Sequence, residues 1–182
     1  MTTLRPAIME DAPFVAWTVL TALDLPTDDI TMALRACQRD DTLYSWRHAT
    51  LVVDGDKPVG CLVAYEGARY AEMRERTWNL IWGRDDNATS FAGVELETYP
   101  GEYYLDSMAI LPQYRGKGIG RQLLLHAVEQ GKRLGCSCSC STLIVSTDKP
   151  RLQVHYQSIG FTECGSIEFF GHKYNRMKTT RI

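Results

Sequence analysis

Residues 103–135 read YYLDSMAI-LPQYRGKGIG-RQLLLHAVEQGKRLG: a β-rich run, a glycine-punctuated turn and an apolar-periodic helical run, in unbroken order. This order constrains the fold more than any other feature of the chain. A strand that feeds a short turn straight into a helix puts the unsatisfied N–H groups of the helix start at the C-terminal end of the strand. Gly116, Gly118 and Gly120 lack Cβ atoms and permit positive φ, so consecutive backbone N–H groups can converge on one anion. The helix N-terminus favours the same anion, and Arg115, Lys117 and Arg121 add countercharge. Each exposed contribution is small, about 0.3–1 kcal/mol, but several act on one diphosphate.

Two common phosphate motifs do not fit. The turn lacks the G-K-[ST] ending of a P-loop, and Arg121 stands where a dinucleotide fingerprint G-x-G-x-x-G needs its third glycine. The spacing present is R-x-x-G-x-G, formed by Arg115, Gly118 and Gly120.

The rest of the chain alternates helical and strand patterns, which predicts an α/β or α+β layer structure. Asp11 is expected to cap a helix through Phe14, Val15, Val19, Leu20 and Leu23, ended by Pro26; Asp28 and Asp29 open a second through Ile30, Leu34 and Cys37. Two β-rich runs flank Asp54-Gly55-Asp56, a hairpin signal. Residues 68–83 read as a helix with Met73, Trp78, Ile81 and Trp82 as apolar contacts, and residues 84–102 as a loop with a short strand. STLIVST is a second central strand; KPRLQVHYQSIG is a helix with Pro150 in its first turn and Gly160 as its stop; residues 161–178 form a closing hairpin.

A chain of 182 residues with 45% apolar residues and 23% charged residues is most simply one domain, able to bury its own core. A net charge of −2 argues against a nucleic-acid partner, which needs excess cations. No basic and apolar leader opens the sequence, and no uncharged run approaches the roughly 20 residues that span a bilayer. The expectation is a cytoplasmic protein with no membrane partner. Six cysteines include Cys136, Cys138 and Cys140 in the run GCSCSCS. In an extended chain alternate Cα atoms lie about 6.6 Å apart, near the upper limit for a disulfide. The spacing also lacks a C-x₂₋₄-C zinc pair with partners elsewhere, so the run reads as small residues leading into the next strand. His48, His126, His155 and His172 show no metal-ligand spacing, and no metal is expected.

With these motifs in place, the sequence resembles the GNAT superfamily of N-acetyltransferases. AILPQYRGKGIGRQLL is similar to that family's R/Q-x-x-G-x-G/A acetyl-CoA motif, LRPAIMEDAPFV to its first strand and helix, and TLVVDGDKPVGCLVAYEG to its second and third strands. LIVSTDKPRLQVHYQSIGF is similar to the motif that follows, in which a tyrosine stands just before Gly-Phe. The resemblance implies an acyl-CoA N-acyltransferase fold: a mixed, mostly antiparallel sheet with a splayed parallel central pair, flanked by helices. It implies acetyl-CoA as co-substrate, with the backbone of Met108, Ala109 and Ile110 meeting pantetheine and a nearby N–H stabilising the oxyanion. Arg115, Gly116, Lys117, Gly118, Ile119 and Gly120, with Arg121 close by, would hold the pyrophosphate. It further implies acetyl transfer to a primary amine by direct attack, with Tyr156 as general acid, the acceptor being a small-molecule or peptide amine.

For the base, Asp106 is the first choice because it is closest in sequence to the reacting carbonyl. Glu66, Glu95, Glu97 and Glu102 are further carboxylates, and a water chain is the alternative. Strand alternation sends Asp106 and Ser107 to opposite faces. Where the family carries D-N-P-R-A, this chain has Asp148-Lys149-Pro150-Arg151-Leu152, so a side-chain amide contact is lost. That substitution favours a second reading, a non-catalytic CoA-binding module. Residues 68–100 have no counterpart and are available to an acceptor pocket or a homodimer contact.

Overall fold

The structure, a computed structural model, describes residues 1–85, 88–134 and 140–179. Seven strands form one sheet: β1 (Thr2–Pro6), β2 (Ala49–Asp54), β3 (Lys57–Glu66), β4 (Glu102–Ile110), β5 (Cys140–Ser146), β6 (Phe161–Phe169) and β7 (His172–Thr179). Their order is β1-β2-β3-β4-β5-β7-β6. All pairings are antiparallel except β4 with β5. The helices among the described residues are α1 (Ala12–Ala22), α2 (Thr31–Cys37), α3 (Tyr70–Ile81), α4 (Ile119–Arg133) and α5 (Pro150–Gln157).

A sheet covered on both faces alternates between two cores. Leu51 and Val53 of β2, with Cys61, Val63 and Tyr65 of β3, face a core shared with Val15 and Val19 of α1, Ala33 of α2 and Tyr70 and Trp78 of α3. Val52, Leu62 and Ala64 face the opposite core, with Leu123, Leu124 and Ala127 of α4, Leu143 and Val145 of β5, and Tyr156 of α5 at its margin. Each fully buried leucine contributes about 1.5–3 kcal/mol, so α4 is held mainly by its apolar stripe.

The hairpin forms at Gly55, whose φ is +59°, and α3 occupies the helix read in residues 68–83. Trp78 and Trp82 share a face as their spacing predicts, and both meet Phe91, at ring-centroid distances of 4.9 and 5.2 Å. Two readings differ. Residues 88–100 contain no strand; they are held as loop by Arg74, whose guanidinium donates to the carbonyls of Phe91 and Val94 at 2.7 and 2.9 Å. Asp11 makes no N-cap bond to α1. Its carboxylate accepts instead from Arg5 at 2.6 and 2.9 Å and from the Ile8 N–H at 2.9 Å. Burial pushes this carboxyl up, but the Arg5 and Ile8 bonds outweigh it and hold the group below the usual aspartate value. A charge on an adjacent strand outcompetes the helix end. Asp29 does serve its helix, accepting from the Thr31 N–H at 2.9 Å. Cys136 and Cys138, with Gly135 at the end of the helical run read above, lie outside the described residues. Cys140 opens β5.

Gly131 seats α4 on β4. A Cβ there would lie 2.8 Å from Tyr103 Cβ, closer than packed atoms approach. Alanine raises helix propensity by up to about 1 kcal/mol, whereas overpacking costs about 1–3 kcal/mol. Gly131→Ala is therefore expected to lower stability in urea unfolding; a gain would contradict this seating.

Candidate active site

The two parallel strands pair only at their start. Glu102 lies opposite Cys140, Tyr103 opposite Ser141 and Tyr104 opposite Thr142, after which the ladder ends. β4 continues to Ile110 and β5 to Ser146 without further pairing to each other. The backbone edges that face across this gap have no ladder partner, which leaves hydrogen-bonding capacity for an extended ligand.

A bulge coincides with the parting. On β3, Val63 faces Ser107 while Ala64 faces Leu105, so Asp106 is the extra residue of β4. The extra residue reverses alternation. Tyr103 and Leu105 lie on the α4 side before it, and Met108 and Ile110 lie on that same side after it. Asp106 and Ser107 consequently do not part to opposite faces as simple alternation predicts: the Ser107 hydroxyl donates to Asp106 Oδ1 at 2.7 Å. The Tyr65 hydroxyl donates to Asp106 Oδ2. Burial pushes the Asp106 carboxyl above its ordinary value, and these two donors oppose the rise.

Past the gap, the chain turns into α4. Gly116 and Gly118 have φ of +75° and +80°, left-handed values that L side chains adopt at a cost of about 1–2 kcal/mol. Gly118 is the N-cap of α4 and offers no side chain, so no side-chain cap satisfies the first-turn N–H groups, and that turn holds no acidic residue. Arg115 and Arg121 are exposed; Arg115 Nε donates to the Ile110 carbonyl at 3.0 Å, tying the turn to the end of β4. Lys117 Nζ lies 4.8 Å from the centre of the Tyr114 ring. Ile119 is buried beneath Gly60, and a Cβ on Gly120 would lie 3.3 Å from Ile110 Cδ1. Ile119 and Gly120 therefore offer backbone alone, as do Met108 and Ile110, whose side chains pack toward α4.

Tyr156 sits on α5, which packs on β5 and β6. Its ring meets Phe161 edge-on at 6.1 Å, and its hydroxyl has no hydrogen-bond partner among the described residues. Burial raises its pKa, so the phenol stays protonated through and beyond neutrality.

The other carboxylates separate clearly. Glu66 is exposed. Glu95 accepts from the Glu168 N–H at 2.9 Å and pins loop to hairpin. Glu102 pairs with Arg176 and accepts from Thr98 Oγ1, the Tyr99 N–H and Thr142 Oγ1, a clamp where β4, β5 and β7 meet. Glu97 alone joins Asp106, in a layer of tyrosines on the α3 side that sequence spacing does not reveal. Tyr65 also lines an open pocket of about 560 Å³ with His48, Arg69 and Met73. Lys149, at the family's Asn position, ion-pairs with Asp24 in the α1–α2 connection, and Asp24 is itself left-handed, with φ +55°.

A sequence profile described as the acetyltransferase (GNAT) family matches residues 17–161. The chain belongs to this family. Acetyltransferase Atu2258 of Agrobacterium fabrum is 32% identical over 106 residues, covering 58% of this chain and 74% of that protein. A streptothricin acetyltransferase of Streptomyces lavendulae is 27% identical over 100 residues, and the alignment spans about half of each chain, 55% and 51%. A crystal structure of an acetyltransferase, 27% identical, superposes with a TM-score of 0.78 over 97% of this chain and 98% of that one. The architecture is the GNAT fold, and as a member of this family the protein is an acyltransferase. No helix among the described residues is long and apolar enough to cross a membrane.

The Lys149–Asp24 pair is exposed on both sides, so its worth is small. A double-mutant cycle with Asp24→Ala and Lys149→Ala is expected to give a coupling of about 0.2–1 kcal/mol, shrinking at about 1 M salt. Zero coupling at low salt would contradict the pairing.

Proposed function

We propose that the protein is an acetyl-CoA-dependent N-acetyltransferase in which a primary amine attacks directly, Asp106 is the base and Tyr156 is the general acid. The observation that carries this reading is the parting of β4 and β5 at the Asp106 bulge, with the uncapped start of α4 at the far end of the same strand.

The residues present fit CoA. An extended pantetheine arm matches the unpartnered strand edges, with the backbone of Met108, Ala109 and Ile110 supplying strand-like bonds. A diphosphate matches the cradle from Arg115 to Gly120, where Gly116 and Gly118 have open space where a Cβ would stand, with Arg121 beside it. Acetyl-CoA, when bound, supplies an activated thioester. The chain does the rest. Backbone N–H groups near Met108 or Ala109 stabilise developing negative charge on the carbonyl oxygen, a contribution typically worth about 10²–10³ in rate. Asp106 accepts the proton that the amine nitrogen loses as the C–N bond forms. Burial raises its proton affinity, and Tyr65 and Ser107 fix its orientation. Tyr156 gives its proton to the sulfur as the C–S bond breaks; among the described residues its hydroxyl has no partner to surrender.

The acceptor is a small-molecule or peptide amine. The likeness to streptothricin acetyltransferase places that antibiotic in a test panel with lysine, spermidine and an alanine-headed peptide. Thiol release from acetyl-CoA, corrected by a no-amine control for the protein's own cysteines, reports turnover. Tyr156→Phe is expected to lower kcat by about 10²-fold or more while leaving CoA affinity within a factor of about two. Asp106→Asn is expected to behave likewise. Unchanged turnover in either variant would remove that residue from the role.

A further inference from the structure

Glu97 is a second carboxylate in the layer that holds Asp106, and the acid–base roles above leave it without a task. It is 9% exposed and accepts two phenolic hydroxyls, Tyr70 at 2.5 Å on Oε1 and Tyr104 at 2.6 Å on Oε2. The rings of Tyr65, Tyr70 and Tyr104 form a triangle with centroid separations of 6.5, 5.8 and 6.3 Å. Two of these tyrosines hold Glu97 and the third holds Asp106. Burying an acid in an aromatic layer is costly unless it is paired or keeps its proton. Arg74 is the nearby cation from α3, yet its Nη atoms are committed to the carbonyls of Phe91, Val94 and Glu95. It makes no ion pair with Glu97.

We propose that Glu97 is a positioning residue for acetyl transfer, which together with Asp106 and the tyrosine triangle forms a carboxylate pair that shares one proton beside the acceptor amine. The proposal rests on the base role of Asp106. Between a buried carboxylate and a half-buried one in the same layer the first charge opposes the second, so their protons leave in two separated steps. Burial and then the Asp106 charge push Glu97 up to about 7, against the pull of Tyr104, Tyr70 and Arg74. Between the two steps the pair keeps one proton on Glu97, which leaves Asp106 free to act as base. Above the second step both are charged, and Asp106 becomes a stronger base.

Besides the cations Arg74 and Arg176, the titratable groups facing the layer among the described residues are neutral. Tyr44, between α2 and β2, stays protonated because burial and both carboxylates raise it, and buried Cys37 of α2 is likewise a neutral thiol. His48, with its ring 5.5 Å from that of Tyr65, is held below its ordinary value by burial. On β7, Arg176 pairs with Glu102 and its Nε also donates to the Glu97 backbone carbonyl at 3.5 Å, and burial keeps Tyr174 protonated.

Two readouts test this. In protein labelled with ¹³C at glutamate carboxyl carbons, one resonance should titrate near 7. It should vanish in Glu97→Gln, move down in Asp106→Asn and move up in Tyr104→Phe, which loses a donor to the charged form. In parallel, kcat/KM with the fastest amine of the panel should show an ionisation near 7 that disappears in Glu97→Gln, while the lower limb, set by Asp106 beside a neutral neighbour in both enzymes, stays in place. A Glu97→Gln enzyme slowed by one constant factor at all pH, with the ionisation intact, would make Glu97 a packing residue and overturn the proposal. If that variant does not fold, Tyr104→Phe decides, and an unmoved glutamate resonance overturns it. Full activity in Asp106→Asn would instead overturn the base assignment itself.

Discussion

The parting of β4 from β5 is the constraint on which the rest depends. Parallel strands that remain paired would have no open edge to offer. Here a clamp holds the pair together at its origin: Glu102 takes Arg176 from β7 and Thr142 from β5 on one carboxylate. A single extra residue, Asp106, then appears where the ladder stops. The clamp fixes where the strands meet, and the bulge gives β4 its added twist. Two consequences come from the same residue. The backbone edge opens toward β5, and the Asp106 carboxyl stays on the α3 side while the residues that follow turn toward α4.

The two faces of the sheet thereby take different chemical work. On one face α4 is seated by Gly131 and by Met108 and Ile110, and its uncapped start leaves backbone N–H groups, with Arg115 and Arg121 beside them, at the end of β4. On the other face α3 and the loop from 88 to 101 enclose carboxylates among tyrosines. Gly67 binds that loop closely, since a Cβ there would lie 2.3 Å from the Tyr99 carbonyl oxygen. The acidic layer is thus part of the packed molecule. Of its two carboxylates, Asp106 stands at the bulge where the gap opens.

Much of this was legible in the sequence because it is local. The strand, the glycine turn and the helix of residues 103–133 follow from periodicity and from where positive φ is required. The hairpin at Asp54-Gly55 and the starts of α2 and α5 follow likewise. What escaped depends on pairings between distant residues. The β4 bulge reverses a face assignment that rested on strict alternation at Asp106 and Ser107. Asp11 chose Arg5 of the first strand over its own helix. Glu97 was one carboxylate among several until α3 and β4 brought Tyr70 and Tyr104 to it. Lys149 read as a lost amide contact that favoured a non-catalytic module. The structure gives it a different partner, Asp24, 125 residues away, and family membership makes the protein an acyltransferase.

Amide hydrogen exchange with and without saturating acetyl-CoA tests the central claim most directly. If the open edges between β4 and β5 receive the pantetheine arm, alternate amides within 105–110 should slow on binding, together with those of 116–121. The distant strand from Thr2 to Pro6 should remain unchanged. Protection confined to the turn, with 105–110 exchanging as before, would show that the parted strands are not the cofactor's path and would contradict the account.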